Sequence, residues 1–369
     1  MEGECPALGN FTASALVSAT GALSEPKLPE LPGLETFQGK VFHSARWDHS
    51  HSLSGKKVGV IGTGASAIQF VPFIQPEVKQ LTLFQRTPPW IVPTSDRKLS
   101  DREHRLLSGY PWIQKIWRRW IYFCHELTGF GFRHPALMRV MTWVSMKHLE
   151  RQVPDPSLRK KLTPKYTIGC KRILISNRYY PALTQNNVEV VTEPILKIGP
   201  FHVETSDGTK RDLDTLILGT GFDLAEIHSA RTIIGKTQRT LYETWNESPQ
   251  AFLGTTVFDF PNLFLLLGPN TGLGHSSVML MAEAQIEYVL KAIQWMRDKK
   301  IQSVEPRLPA QERYNQKLVP ALRRSVWASG CQSWYLDPTG RNSALWPHSI
   351  GAFRRRLRKF RPQDFLVKP

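Results

Sequence analysis

Apolar positions along the chain fall into short β-branched runs that end in glycine, separated by longer stretches with helical spacing. Val58, Val60 and Ile61 form the clearest run and predict a buried parallel strand. It leads into Gly62-Thr63-Gly64-Ala65-Ser66-Ala67, and the pattern then predicts a helix from Ser66 to about Ile74. Gln80-Leu81-Thr82-Leu83-Phe84 reads as the next strand. Further strands are expected from Ala15 to Gly21, at Val188-Glu189-Val190-Val191, from Asp214 to Leu218 before Gly219-Thr220-Gly221, and from Asn262 to Leu267 before Gly268-Pro269-Asn270. Phe201 to Thr205 and the Asp207-Gly208 pair predict a hairpin. A helix is expected from Val278 to about Arg297, with Met279, Ala282, Ile286, Val289, Leu290 and Ile293 as its apolar stripe. Pro26, Pro29, Pro32 and Gly33 predict a stiff extended connector. Residues 1–13 have no pattern and are expected to be irregular. Alternating strands and helices of this kind predict an α/β fold.

The glycine turn carries the first chemistry. Gly62 permits a tight turn, Gly64 lets a pyrophosphate approach the backbone, and Ala67 allows close helix–strand packing. The helix start directs free N–H groups, and the positive end of the dipole, at a phosphate. An NAD site carries an acid at the end of the second strand. Gln85-Arg86-Thr87 stands there instead, and an arginine suits the 2′-phosphate of NADPH.

Length and charge narrow the reading. The 369 residues suffice for two domains, and the net charge of +17 favours anionic partners such as nucleotides. No nucleic-acid motif is present, so nucleic acid is not expected as a partner. Cys5, Cys124, Cys170 and Cys331 lie far apart, with no metal spacing and no disulfide framework. The start Met1-Glu2-Gly3-Glu4 has neither a basic segment nor an apolar core, and no run of about eighteen apolar residues occurs. A reducing cytoplasm is the expected compartment. Residues 100–162 read as helical, with Trp112, Ile116, Trp117, Trp120 and Phe123 interleaved with Lys115, Arg118 and Arg119. The expected arrangement is a helical insertion packed on the dinucleotide unit. The other arrangement such a basic amphipathic helix allows is peripheral contact with a membrane surface.

Phe37-x-Gly39-x-x-x-His43-x-x-x-Trp47-Asp48 matches at every fixed position the fingerprint of Baeyer–Villiger monooxygenases, and the chain resembles that family from Ala15 to about Phe353. The resemblance implies two Rossmann-like dinucleotide-binding domains, one for FAD and one for NADPH, with the fingerprint on the linker between them. It divides the chain into a remnant of the FAD domain and linker over residues 1–50, an NADPH domain over residues 51–221 with its helical insertion at about 100–162, and the C-terminal part of the FAD domain over residues 222–369. No first glycine turn and no FAD-ribose acid precede Ala15, so the FAD domain is expected to be incomplete, as in a fragment or shortened form.

By the same resemblance, NADPH reduces FAD, reduced flavin adds O2 to form a C4a-peroxyflavin, and a ketone receives one oxygen. Oxygenation at nitrogen or sulfur on the same scaffold, or a chain that keeps NADP binding alone, are the alternatives. The catalytic residues implied are Arg172, a permanent cation for the anionic intermediates, and His43, which couples domain movement to the reaction. Implied cofactor contacts are Gly62, Thr63, Gly64, Ala65, Ser66, Arg86, Thr87, Lys171, Thr220, Gly221, Asn270 and Trp334. Lys171 and Arg172 are adjacent, so in extended backbone they reach opposite sides. Arg354 to Lys359 reads as a solvated helix face.

Overall fold

The computed structural model describes residues 2–5, 9–94, 96–223, 228–246 and 248–369. The chain opens with a hairpin, β1 (Glu2–Cys5) against β2 (Gly9–Thr12), where the sequence pattern predicted irregular chain. Then come β3 (Leu16–Ser18), β4 (Lys40–His43), β5 (Lys57–Ile61), α1 (Ala67–Ile74), β6 (Gln80–Phe84) and β7 (Ile91–Val92). The helical insertion follows as α2 (Asp101–Gly109), α3 (Pro111–Arg133), α4 (Met138–Gln152) and α5 (Pro156–Leu162). Beyond it lie β8 (Leu174–Ile175), α6 (Tyr179–Leu183), β9 (Val188–Val191), β10 (Ile195–Gly199), β11 (His202–Thr205), β12 (Lys210–Asp212) and β13 (Thr215–Leu218). The C-terminal part holds α7 (His228–Thr232), α8 (Leu241–Trp245), β14 (Leu263–Leu265), α9 (Met279–Lys299), β15 (Ser303–Pro306), α10 (Leu308–Arg323), α11 (Ile350–Leu357) and β16 (Phe365–Lys368).

One parallel sheet organises the molecule, in the order β4-β13-β5-β6-β9. Its strands are continuous apolar runs because both faces are covered. Val58, Val60, Leu81, Leu83, Leu216 and Ile217 are fully buried. Helix α1 lies on one face through Ala67, Ile68, Val71 and Ile74. The small antiparallel sheet β10-β11-β12 caps the other face. It turns at Gly208, whose φ of 79° only glycine adopts readily.

Apart from this sheet, β3 pairs in parallel with β14. A separate core forms around α9, α10 and α11. The apolar stripe expected of α9 is divided by the structure. Ala282 and Val289 point inward with Met281, Gln285, Tyr288, Ala292 and Met296, whereas Met279, Ile286 and Leu290 are exposed. Helix α9 thus has apolar residues on two sides, a pattern that a single stripe does not describe.

The insertion also departs from simple packing. Helix α3 is anchored at its C-terminal end, where Phe132 is buried, Gly129 lies against the His275 ring and Glu126 accepts the Ile350 N–H at 2.9 Å. Its apolar face turns outward: Trp112, Ile116, Trp120, Phe123 and Leu127 are each more than half exposed, as are Val140 and Trp143 on α4. Among the described residues, no helix is long and apolar enough to cross a membrane.

Candidate functional site

The glycine turn sits at the C-terminal end of β5, in the middle of the parallel sheet. Gly62 has φ 107°, and a Cβ there would strike the carbonyl of Gly219, so no other residue fits. Gly64 meets nothing within 4 Å, which leaves its face open for a ligand. The amides of Gly64, Ala65 and Ser66 donate to no backbone carbonyl among the described residues, and α1 begins immediately after them. This is an anion cradle of free N–H groups at a helix start.

Thr63 faces the other way. It is buried, and its hydroxyl donates to the Thr87 carbonyl at 2.9 Å, which ties the turn to the end of β6. Gln85 donates through Nε2 to the Lys161 carbonyl at 2.8 Å, and its own backbone N–H bonds Val191. These bonds fix Arg86, which is exposed, at the rim of the cradle.

Lys171 converges on the same place. Its pKa is lowered first by burial and second by the charge of Arg86. Its ammonium lies 5.1 Å from the centre of the Tyr166 ring. Neither Lys171 nor Arg86 has a carboxylate partner among the described residues. Two cations that repel each other, with no acid between them, form a site prepared for a multiply charged anion.

Arg172, the next residue, is exposed in the irregular chain before β8. Its charge acts on Tyr335, whose pKa burial raises and Arg172 pulls down. The Tyr335 ring lies tilted against Trp334 with centroids 4.5 Å apart, and the Trp334 indole is partly exposed beside it. Lys171 and Arg172 therefore stand between the cradle and the Trp334-Tyr335 loop. Sequence reading singled out Trp334 but passed over Tyr335 and Tyr166. Both are uncharged aromatic residues with no motif of their own, and only the fold places them beside the cations.

His43 ends β4 beside Leu218, just before the Gly219-Thr220-Gly221 crossing. Its Nδ1 accepts the Ala45 N–H at 3.1 Å, which leaves the proton on Nε2. Nε2 is buried without a hydrogen-bond partner of normal geometry, although the Gly221 backbone is near enough to raise its basicity slightly. Thr220 donates its hydroxyl to the Lys27 carbonyl, and the Lys27 N–H bonds the Gly221 carbonyl at 2.9 Å. With the Pro26–Phe222 bridge, the two chain crossings run side by side, and His43 sits against them.

Asn270 is buried with φ 56°. Its Nδ2 donates to the Asn342 and Leu345 carbonyls, while Oδ1 is an acceptor without a partner. Arg354, Arg355, Arg356, Arg358 and Lys359 are exposed, as expected of a solvated face.

The cysteines depart from expectation. Cys170 and Cys331, 161 residues apart, form a disulfide with a Cα–Cα distance of 6.2 Å. Such a separation leaves no trace in sequence spacing; the fold alone brings the two segments together. Cys124 is free and exposed, and the Cys5 side chain lies outside the described residues. No cluster of metal-binding side chains occurs among the described residues.

Three histidines, His43 buried and His275 and His348 partly so, give the fold an acid limit. Burial lowers the pKa of His43, His275 and His348 below the ordinary value of 6.5, and nearby arginines add to it: Arg46 for His43, Arg133 for His275, Arg356 and Arg133 for His348. Glu126, 4.0 Å from His275, opposes this without overcoming burial. A depressed folded-state pKa means the unfolded chain binds more protons at acid pH. The stabilisation is therefore complete above the ordinary histidine value and is lost as pH falls through it. Urea midpoints should drop between about pH 7 and about pH 5, and replacing His275 with glutamine should flatten that slope. A midpoint constant over this range would contradict the assignment.

Comparison with known proteins places this geometry. The family described as flavin-binding monooxygenase-like matches residues 10–242. A Baeyer-Villiger monooxygenase of Pseudomonas aeruginosa is 49% identical over 359 residues, covering 96% of this chain and 68% of that protein. Cyclohexanone monooxygenase from Rhodococcus sp. Phi1, solved bound to NADP+, superposes with a TM-score of 0.85 at 27% identity over 98% of this chain and 76% of its own. The OTEMO complex with FAD and NADP gives the same TM-score, 0.85, at 27% identity over 97% and 76%.

Proposed function

The chain belongs to the flavin-binding monooxygenase-like family, and on that premise we propose that it serves an NADPH- and FAD-dependent Baeyer–Villiger oxygenation of a small ketone with O2. The observation that carries the reading is the pairing of Arg86 with Lys171 at the rim of the Gly62 cradle. The residues present fit NADPH. The open face of Gly64 and the amides before α1 would hold the pyrophosphate, and Arg86 and Lys171 would hold the 2′-phosphate. For FAD, the unpartnered Asn270 Oδ1 is a buried acceptor suited to a ring N–H. Among the described residues the Gly62 turn is the one glycine cradle at a helix start that follows a parallel strand.

Bound flavin supplies the activation of oxygen. The chain's own residues bind and orient around it. Arg172 is a cation at every working pH, so it can offset an anion beside the Trp334-Tyr335 loop without giving up a proton. The exposed Trp334 offers an indole N–H donor. His43, neutral with its proton on Nε2, keeps that donor against the paired crossings, where a change of angle between the two units would be felt. The test is product analysis of flavin-loaded protein with NADPH, offered a cyclic ketone and a thioether together. Lactone as the main product supports the reading, and sulfoxide alone would assign heteroatom oxygenation instead.

The outward face of α3 and α4 supports a partner as well. Trp112, Ile116 and Trp120 with Lys115, Arg118 and Arg119 suit an anionic lipid surface, aromatic rings in the interface and cations at its headgroups. The chain should sediment with phosphatidylglycerol vesicles and not with phosphatidylcholine vesicles, and Trp120→Glu should release it. Protein left in the supernatant, or a dimer that Trp120→Glu dissolves, would overturn this.

A further inference from the structure

The disulfide joins the two segments that carry the site's cations and its exposed indole. Cys170 is fully buried and directly precedes Lys171 and Arg172. Cys331 is partly exposed and stands three residues before Trp334. The two sides are held very differently. On the Cys170 side the chain is locked. The Cys170 N–H bonds the Thr167 carbonyl, and a Cβ at Gly169 would meet the Phe132 ring at 2.7 Å. Two residues after Arg172, Leu174 bonds the Trp90 carbonyl at 2.9 Å and enters the β7–β8 pair.

On the Cys331 side the backbone is almost free. The amides of residues 330–334 donate to no backbone carbonyl among the described residues, and regular bonding resumes at Leu336, which donates to Ser333. Gly330 has φ 87° with open space around it. Regular packing likewise resumes at Tyr335, which is buried against Trp327. The covalent bond is therefore what fastens this stretch to the rigid Lys171-Arg172 segment.

We propose that Cys170 and Cys331 are positioning residues whose disulfide holds the Trp334 loop against Lys171 and Arg172, and that a dithiol reductant releases the loop and weakens nicotinamide-cofactor binding. The step balances simply. A dithiol's thiolate attacks the Cys331 sulfur, the accessible one, and Cys170 leaves as thiolate. The second thiol then resolves the mixed disulfide. Two electrons and two protons pass from the dithiol to the protein, giving two cysteine thiols and a disulfide in the reductant. Disulfides in a reducing compartment are characteristically of this reversible kind. A tether of this sort acts by pre-organisation: the loop is placed before the cofactor arrives, so less order is lost on binding.

The inference rests on the reading of the Gly62 cradle as an NADPH site, and the experiment separates the two. Oxidised protein is compared with protein treated with dithiothreitol, and with Cys170→Ser, Cys331→Ser and the double variant. Thiol titration should release two further thiols per chain on reduction, and a tryptic peptide pair linking Cys170 to Cys331 should be found before it. NADP+ affinity, read by calorimetry without any turnover, should fall about fivefold on reduction. The double variant should match the reduced protein and ignore dithiothreitol. Proteolysis near residues 329–334 should accelerate in parallel. Absence of the linked peptide overturns the proposal. So does an affinity unchanged by reduction while only the melting temperature falls, since that result assigns the bond a purely structural part. Oxidised protein that binds no NADP+ at all sinks the cofactor reading itself, and the peptide and proteolysis results then still report on the tether.

Discussion

Arg172→Ala is expected to lower ketone turnover by about 10²- to 10³-fold in flavin-loaded protein, the usual cost of removing one group that stabilises a developing anion. Arg172 stands apart from the packed core. It is exposed, and no carboxylate pairs with it among the described residues, so the fold does not depend on it. Its charge acts on Tyr335 across the gap between its own segment and the Trp334 loop. A solvated surface arginine could be removed for a few tenths of a kcal/mol with no effect on rate. The two roles thus predict the same unchanged stability and very different turnover. Arg172→Lys should recover part of the rate only, because an ammonium is a point charge without the guanidinium fork. NADP+ affinity should change little in either variant. Equal losses in affinity and turnover would show that Arg172 binds cofactor instead of stabilising an anion.

Legibility in the sequence followed locality. The Gly62 turn, β5, α1 and β6 are consecutive, and their chemistry is read from residues a few positions apart. The same holds for the adjacent Lys171 and Arg172, which stand out as a pair of cations by their place in the sequence. What the sequence did not show depends on contacts between distant segments. Cys170 meets Cys331, Asn270 bonds Asn342, and Tyr335 neighbours Arg172, and none of these pairs shares a period or a motif. The α9 stripe erred for a related reason. Periodicity identifies which residues share a helix face, and with apolar residues on two sides of α9 it could not say which side the core would take. Similarly, the spacing of aromatic residues in α3 was visible, but not that the helix is held through Glu126, Gly129 and Phe132 in its C-terminal turns while its apolar side faces out.

Preference for NADPH over NADH should collapse when Arg86 and Lys171 are both replaced by alanine. By the proposed assignment each would form a charge-assisted contact with the 2′-phosphate, at about 1.5–3 kcal/mol apiece, so each single variant should lose at least about tenfold in NADPH affinity and nothing for NADH. The losses should not add, because the cations are coupled. Burial is the larger cause of the lowered Lys171 pKa, and Arg86 is the second. Phosphate binding at such a site would be full while Lys171 is protonated and would weaken as pH rises through its pKa. The depressed pKa brings that decline to lower pH than an ordinary lysine would show. Arg86→Ala removes one of the two causes, so it should weaken NADPH binding near neutrality and yet shift the alkaline decline upward. Titrations of tryptophan fluorescence with NADPH and NADH across alkaline pH would read both effects. Equal losses for the two nucleotides would refute the 2′-phosphate assignment. An alkaline decline unmoved by Arg86→Ala would show that the two charges do not share one site.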